Sequence, residues 1–261
     1  MLLCPALLAG CDKNNETNKG AVYGETFVET VSGLDMKMIF VEGGAFSMGA
    51  TAEQEDDAND CDSPNEYPVR AITLDSFYIA ECEVTQSQWR KVMGSNPSCS
   101  EGEDLPVENV SWNDAKEFCE KLSELTGRKY MLPTEAQWEY AARGGKKSKG
   151  FKYSGSNDSD DVAWHFYNSD NSIHSVKTKL PNELGLYDMS GNALEWCQDR
   201  YRNKYDESDT INPAGPSSGS SRVRRGGSWF ADVRDCRVSS RGGEAADYRD
   251  SGSGFRVALI P

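Results

Sequence analysis

The chain has 261 residues, 37% of them hydrophobic, and a formal net charge of −14. That length can bury a substantial core without help from disulfides, so one large domain with a tail is the simplest organisation. The acidic balance excludes nucleic-acid binding, which needs a basic footprint to displace phosphate counterions, and no apolar run reaches the roughly 18 residues of a membrane-spanning helix.

In chain order, the apolar start "MLLCPALLAGC" ends in Leu8-Ala9-Gly10-Cys11, which resembles the lipobox of a bacterial lipoprotein signal peptide. On that resemblance residues 1–10 are a signal and Cys11 is the lipidation site, and the chain sits in the bacterial envelope, at the outer membrane or cell surface. The polar "DKNNETNKG" that follows lacks hydrophobic pattern and suits a tether, assigned to 11–35, with a domain over 36–261. The runs 38–49, 69–80, 223–229 and 254–260 are compatible with strands, and the acidic segments 53–62 and 156–161 read as loops.

Three helices are announced by capping boxes. Thr85 with Gln88, Ser111 with Asp114, and Thr134 with Gln137 each place a hydroxyl where it accepts an orphan N–H and an acceptor three residues on. The middle helix aligns Ala115, Phe118, Cys119, Leu122 and Leu125 on one apolar face and stops at Gly127, which makes Cys119 a structural thiol. In the third, Glu135 and Glu139 stand one turn apart and read as a solvated face. His165 and His174 read as exposed loop residues, and two histidines without a Cys-x-x-Cys argue against a zinc cluster.

Six segments in fixed order carry a family resemblance: "FVEGGAFSMGA", "FYIAECEVTQSQWRKVM", "LPVENVSWNDAKEFCEKLSELTGRKYMLPTEAQWEYAARGG", "NELGLYDMSGNALEWCQD", "RVRRGGSW" and "GFRVAL". Together they resemble the formylglycine-generating enzyme, or sulfatase-modifying factor, family. The resemblance implies a single α+β domain related to C-type lectins, with little regular secondary structure. It also implies a structural Ca2+ held by Asp188 and Glu195 side chains and the carbonyls of Gly191 and Ala193, hard oxygens of the kind calcium takes.

The enzymes of the family oxidise a peptide cysteine to formylglycine with copper held by two thiolates. Aligned without gaps from Gly226-Gly227-Ser228-Trp229, the first thiolate position falls on Ala231 and the second on Cys236, so the copper pair is incomplete. Catalysis would then need Cys236 and a cysteine brought from elsewhere in the fold. The other reading is binding. Some members of this fold resemble the variable proteins of diversity-generating retroelements, in which the stretch from the Gly-Gly-Ser-Trp motif to the Gly-Phe-Arg motif presents diversified residues. Here that layout makes Phe230, Ala231, Asp232, Asp235, Ser240, Gly242, Tyr248, Asp250 and Ser251 candidate contacts for a protein or small-molecule ligand, with Arg249 as a further polar contact and Trp229 as core.

Overall fold

A computed structural model describes residues 23–54 and 64–260. All three capping boxes form, on helices α1 (Gln86–Met93), α2 (Trp112–Thr126) and α3 (Glu135–Ala142). Helices α1 and α2 end on left-handed Gly94 and Gly127, where a side chain would be strained. Leu125 departs from the expected apolar face of α2: it lies in the last turn and is exposed.

Two sheets organise the chain. One is antiparallel, in the order Phe27–Glu29, Met36–Val41, Phe77–Ala80, Ala258–Leu259, Tyr130–Met131. The C-terminal strand lies inside it, with Ala258 opposite both Ile79 and Met131. The other runs Arg241–Ala245, Ser221–Arg225, Leu194–Arg200, Ser253–Gly254. Sequence runs that look like single strands are cut in two. The 38–49 run divides at Gly43, where a Cβ would stand 2.4 Å from the Leu74 carbonyl oxygen. The 69–80 run divides into Arg70–Leu74 and Phe77–Ala80, the first pairing with Gly44–Met48 outside the main sheet.

The ordered domain begins before residue 36, which corrects the tether boundary. Phe27–Glu29 is an edge strand, and Phe27 packs edge-on against Tyr78 at 5.3 Å. The Tyr130 hydroxyl donates to buried Glu29 at 3.1 Å. The signal segment and Cys11 lie outside the described residues.

Among the described residues the core has two large parts and a small third one, Tyr153, Val162, Ala163 and Cys236. Helices α1 and α2 close over the five-stranded sheet, with Trp89 stacked on Phe118 at 5.5 Å and Phe255 edge-on to Phe118 at 5.3 Å. Burying a side chain such as Phe118 contributes about 1.5–3 kcal/mol. The second part gathers Met48, Ile72, Trp138, Tyr140, Met189 and Cys197 around α3. This second core, with α3, underlies the C-terminal surface.

Candidate ligand-binding site

The strand Ser221–Arg225 ends because Gly226 and Gly227 take φ of 97° and 74°. A Cβ on Gly227 would stand 2.7 Å from the Cys236 sulfur, so this turn admits only glycine. The chain then runs along the surface to Asp232, whose carboxylate accepts from the Arg234 N–H and caps the short 3-10 turn Val233–Cys236. Burial alternates from there. Cys236, Arg237, Val238, Ser239 and Arg241 are buried, whereas Phe230 and Asp235 are exposed and Ala231, Asp232, Ser240 and Gly242 are partly so.

The accessible residues converge. A surface cavity of about 390 Å³ is lined by Phe230, Ala231, Asp232, Asp235, Ser240 and Gly242. The sequence singled out all six. Leu194, Arg224, Arg225, Gly226, Gly227, Ser228 and Arg241 complete the wall. The other three candidates do not line it and reach it through intermediaries: Arg224 donates to Asp250 at 3.2 Å and lies 5.4 Å from the Tyr248 ring centroid, and Trp229 Nε1 donates to the Ser251 carbonyl at 3.0 Å. Arg249 is turned away onto α2, in a two-pronged pair with Asp114 at 2.8 Å. Trp229 is partly buried rather than fully in the core.

Beneath the cavity lies a set of buried ion pairs, which sequence reasoning missed. Arg241 grips Glu135 at 2.6 and 2.8 Å, Arg237 grips Glu66 at 2.7 and 2.9 Å, and Arg225 pairs with Glu139. Glu135 and Glu139 are therefore not a solvated face; they are 4% and 0% exposed. Burial alone would push the Glu135 carboxyl up, yet the Arg241 guanidinium against it holds it below the usual range. Arg225 also donates to the carbonyls of Val238, Ser239 and Ser240, and so fixes the backbone of the cavity wall. The pattern R-x-R-R at 222–225 was the available signal, but arginine on a strand is ordinarily read as exposed.

The histidines also differ from expectation. His165 is buried, and its Nδ1 accepts from the Tyr167 N–H at 3.3 Å, while His174 stacks on Trp164 at 3.7 Å. The loop they hold presents Phe166 and Tyr167, 59% and 69% exposed, beside the cavity: the Phe166 N–H donates to the Ala231 carbonyl at 3.0 Å and the Tyr167 hydroxyl to Asp232 at 3.3 Å.

The four residues assigned to calcium lie in one turn with left-handed backbone at Asp188, Gly191 and Asn192. Asp188, Glu195 and Glu83 are all buried there. Burial, then mutual repulsion, pushes Glu83 well up, and burial pushes Asp188 up to about 6. Carboxylate and carbonyl oxygens are the donors calcium takes, yet no three His, Cys, Asp or Glu side chains among the described residues gather as a metal site, and Glu83 is engaged by the Ala193 N–H at 3.0 Å and the Asn192 amide at 3.3 Å. Glu195 likewise already receives Arg256 on both oxygens at 2.7 Å and Trp138 Nε1 at 2.8 Å. An ion here would rest chiefly on Asp188 and the Gly191 and Ala193 carbonyls, sharing Glu195 with Arg256.

A two-thiolate copper site does not fit the residues present. Cys236 is fully buried, its sulfur lies 3.9 Å from the Asp232 carbonyl, and burial pushes its thiol far above the ordinary range. All five cysteines among the described residues, Cys82, Cys99, Cys119, Cys197 and Cys236, are free. A sulfur withdrawn from water without a cation stays protonated, whereas metal ligation needs thiolate.

Short strands, long ordered loops and a cavity carried on the C-terminal loops define an α+β protein of the C-type-lectin-related class. The chain belongs to the sulfatase-modifying factor family: the Sulfatase-modifying factor enzyme 1-like domain matches residues 26–260. It is 34% identical over 270 residues to chaperone protein LppX of Paenibacillus barcinonensis, covering 84% of this chain and 88% of that one. It is 27% identical to the formylglycine-generating enzyme of Bos taurus, over 85% of this chain and 74% of the enzyme. Among solved structures, variable protein 1 of Treponema denticola superposes with a TM-score of 0.79 at 31% identity, over 90% of this chain and 99% of that one.

Proposed function

We propose that this domain is a binding module whose C-terminal cavity holds a protein partner. The carrying observation is the convergence of six accessible residues, Phe230 to Gly242, on one cavity over a platform of buried ion pairs. A prefixed wall loses little entropy on binding, so its contacts convert to affinity efficiently. Likeness to a protein named a chaperone favours a protein over a small molecule, and likeness to a variable protein supports diversification of the accessible positions. The diversified version requires a near-copy of the DNA encoding residues 226–256 beside a reverse transcriptase gene, differing mostly at adenines; a genome without one removes it.

The site is tested by placing a photo-crosslinking amino acid at Ser240 of the full chain in its host. A defined crosslinked partner is expected, absent from a Phe230→Ala/Asp232→Ala background and from a control at Glu120 on the exposed face of α2. The same adducts at both positions would overturn the reading.

Two further features complete the proposal. Cys11 carries lipid and holds the domain at the bacterial envelope, supported by Leu8-Ala9-Gly10-Cys11 and the polar tract after it; failure of palmitate to label the chain, or equal labelling of Cys11→Ser, would refute this. Calcium stiffens the 188–195 turn, supported by the burial of Asp188 and Glu195 beside the Gly191 and Ala193 backbone.

A further inference from the structure

The cavity wall is not electrically neutral toward a ligand. The charges of its three arginines are paired from behind, Arg225 by Glu139, Arg241 by Glu135, and Arg224 by Asp250 at 3.2 Å with Glu244 at 3.8 Å, although Arg224 Nε and Arg225 Nε are buried without a hydrogen-bond partner among the described residues. At the mouth, Asp232 pairs with Arg234 at 3.1 Å. Asp235 has no hydrogen-bond or salt-bridge partner for its carboxylate among the described residues, although it lines the cavity. Its carboxyl is pushed up, first by partial loss of water and then by the Asp232 charge, so an incoming cation would relieve it.

Two further features accommodate such a cation. The Ser228 hydroxyl is fully buried in the cavity wall and has no hydrogen-bond partner among the described residues. The hydroxyl can donate or accept, and toward an ammonium or guanidinium group, which carries donors only, it would accept. The rim is aromatic: Phe230, 40% exposed, is edge-on to Trp229 at 4.8 Å, and Phe166 is edge-on to Tyr167 at 5.3 Å, with the Tyr167 hydroxyl on Asp232. Aromatic faces beside carboxylates suit a cation on an aliphatic stem, since the rings cover the stem and the ring quadrupole attracts the charge. The net charge of −14 raises the local concentration of such partners.

We propose that the cavity takes a lysine or arginine side chain of the protein partner, with Asp235 and Asp232 meeting the charge, Ser228 accepting a hydrogen bond, and Phe230, Phe166 and Tyr167 covering the stem. This rests on the binding reading above and specifies its ligand. It also assigns the 166–167 loop, outside the C-terminal stretch, to the recognition surface.

Amide chemical shifts of the 15N-labelled full chain test it, titrated with blocked Gly-Gly-X-Gly-Gly peptides in which X is lysine, arginine, norleucine or glutamate, and with n-butylamine. The lysine and arginine peptides should shift Ala231, Asp232, Asp235 and Ser240 and bind at least about tenfold tighter than the norleucine peptide, whose stem is the same without the charge. Asp235→Asn should bring the lysine peptide down to the norleucine affinity and leave the norleucine peptide unchanged. Equal or tighter binding of norleucine or glutamate overturns the cationic assignment while the binding reading stands. Butylamine binding as tightly as the lysine peptide overturns the partner-side-chain assignment in favour of a free amine. No shift at these four positions with any probe removes the cavity as a site, and the binding reading with it.

Discussion

The ion pair between Arg241 and Glu135 should decide whether the cavity wall exists in one conformation. Arg241 donates through Nε and one terminal nitrogen to both Glu135 oxygens at 2.6 and 2.8 Å. Its other terminal nitrogen reaches the carbonyls of Asn65 at 3.0 Å and Arg202 at 2.8 Å, and its guanidinium lies 4.2 Å from the Tyr205 ring centroid. One side chain thus joins α3, the loop at 65 and the loop at 202 to the strand that carries Gly242 and follows Ser240. Arg241→Met leaves Glu135 as a buried carboxylate whose nearest remaining cation is Arg225 Nε at 3.7 Å. Removing one partner of such a pair costs about 3–5 kcal/mol. For a domain of this size that lowers Tm by about 6–20 °C. Differential scanning calorimetry of wild type, Arg241→Met, Arg241→Lys and Glu135→Leu/Arg241→Met measures it. The lysine variant should be intermediate, because it keeps the charge and loses the planar fork. The double variant should recover at least half the loss, since the buried charge leaves with its partner. A loss under about 1 kcal/mol for Arg241→Met, or a double variant worse than the single, would refute the platform as a source of rigidity.

Asp199 is buried beside Glu135, and burial followed by that carboxylate's repulsion pushes it up to about 7. Its folded pKa is above its unfolded value, so its contribution is fully present below about pH 4 and is lost as pH rises toward 7. The stability of Asp199→Asn relative to wild type should therefore rise by about 2–3 kcal/mol between pH 5 and pH 8 in urea titrations; a pH-independent difference would count against it. Gly227→Ala combines a left-handed φ of 74° with a methyl 2.7 Å from the Cys236 sulfur, and should destabilise by about 2–4 kcal/mol, with Cys236→Ala restoring part of the loss. Calcium at about a hundred times its Kd should raise Tm by about 5–10 °C in wild type and not in Asp188→Ala; indifference of wild type to EGTA would remove the site. Cu(I) titrated against bathocuproine should stay with the chelator, because buried, protonated Cys236 offers a single sulfur.

Features set by neighbouring residues are legible in the amino-acid sequence alone. Each capping box spans three residues, so Thr85, Ser111 and Thr134 mark their helices. The six cavity residues are legible for a different reason: an ordered family of segments fixes where the C-terminal loops lie, and the residue types between them are small, acidic or aromatic. Features made by distant pairs are not legible. Glu135 meets Arg241 across 106 positions and Glu66 meets Arg237 across 171. Composition assigns such charges to the surface, and only the tertiary fold reveals that each has a buried partner.

The same distinction separates the two kinds of residue in the C-terminal stretch. Arg237 and Arg241 are held by buried glutamates, so substituting either leaves a carboxylate stranded in the interior. Phe230, Ala231, Asp235 and Gly242 make no buried side-chain hydrogen bond or ion pair, and Asp232 engages the exposed Arg234 and Tyr167 side chains and the Arg234 N–H of the turn it caps. Changes at the first four alter what the cavity presents at little cost to the fold, within about 0.5 kcal/mol for ordinary surface substitutions; replacing Asp232 by Asn keeps a capping oxygen on the turn, at a similar cost. A surface that can change while its support cannot is suited to acquiring new partners. The cationic preference assigned above is then a property of Asp232 and Asp235 in this chain, and a variant with both carboxylates replaced should fold normally and lose that preference.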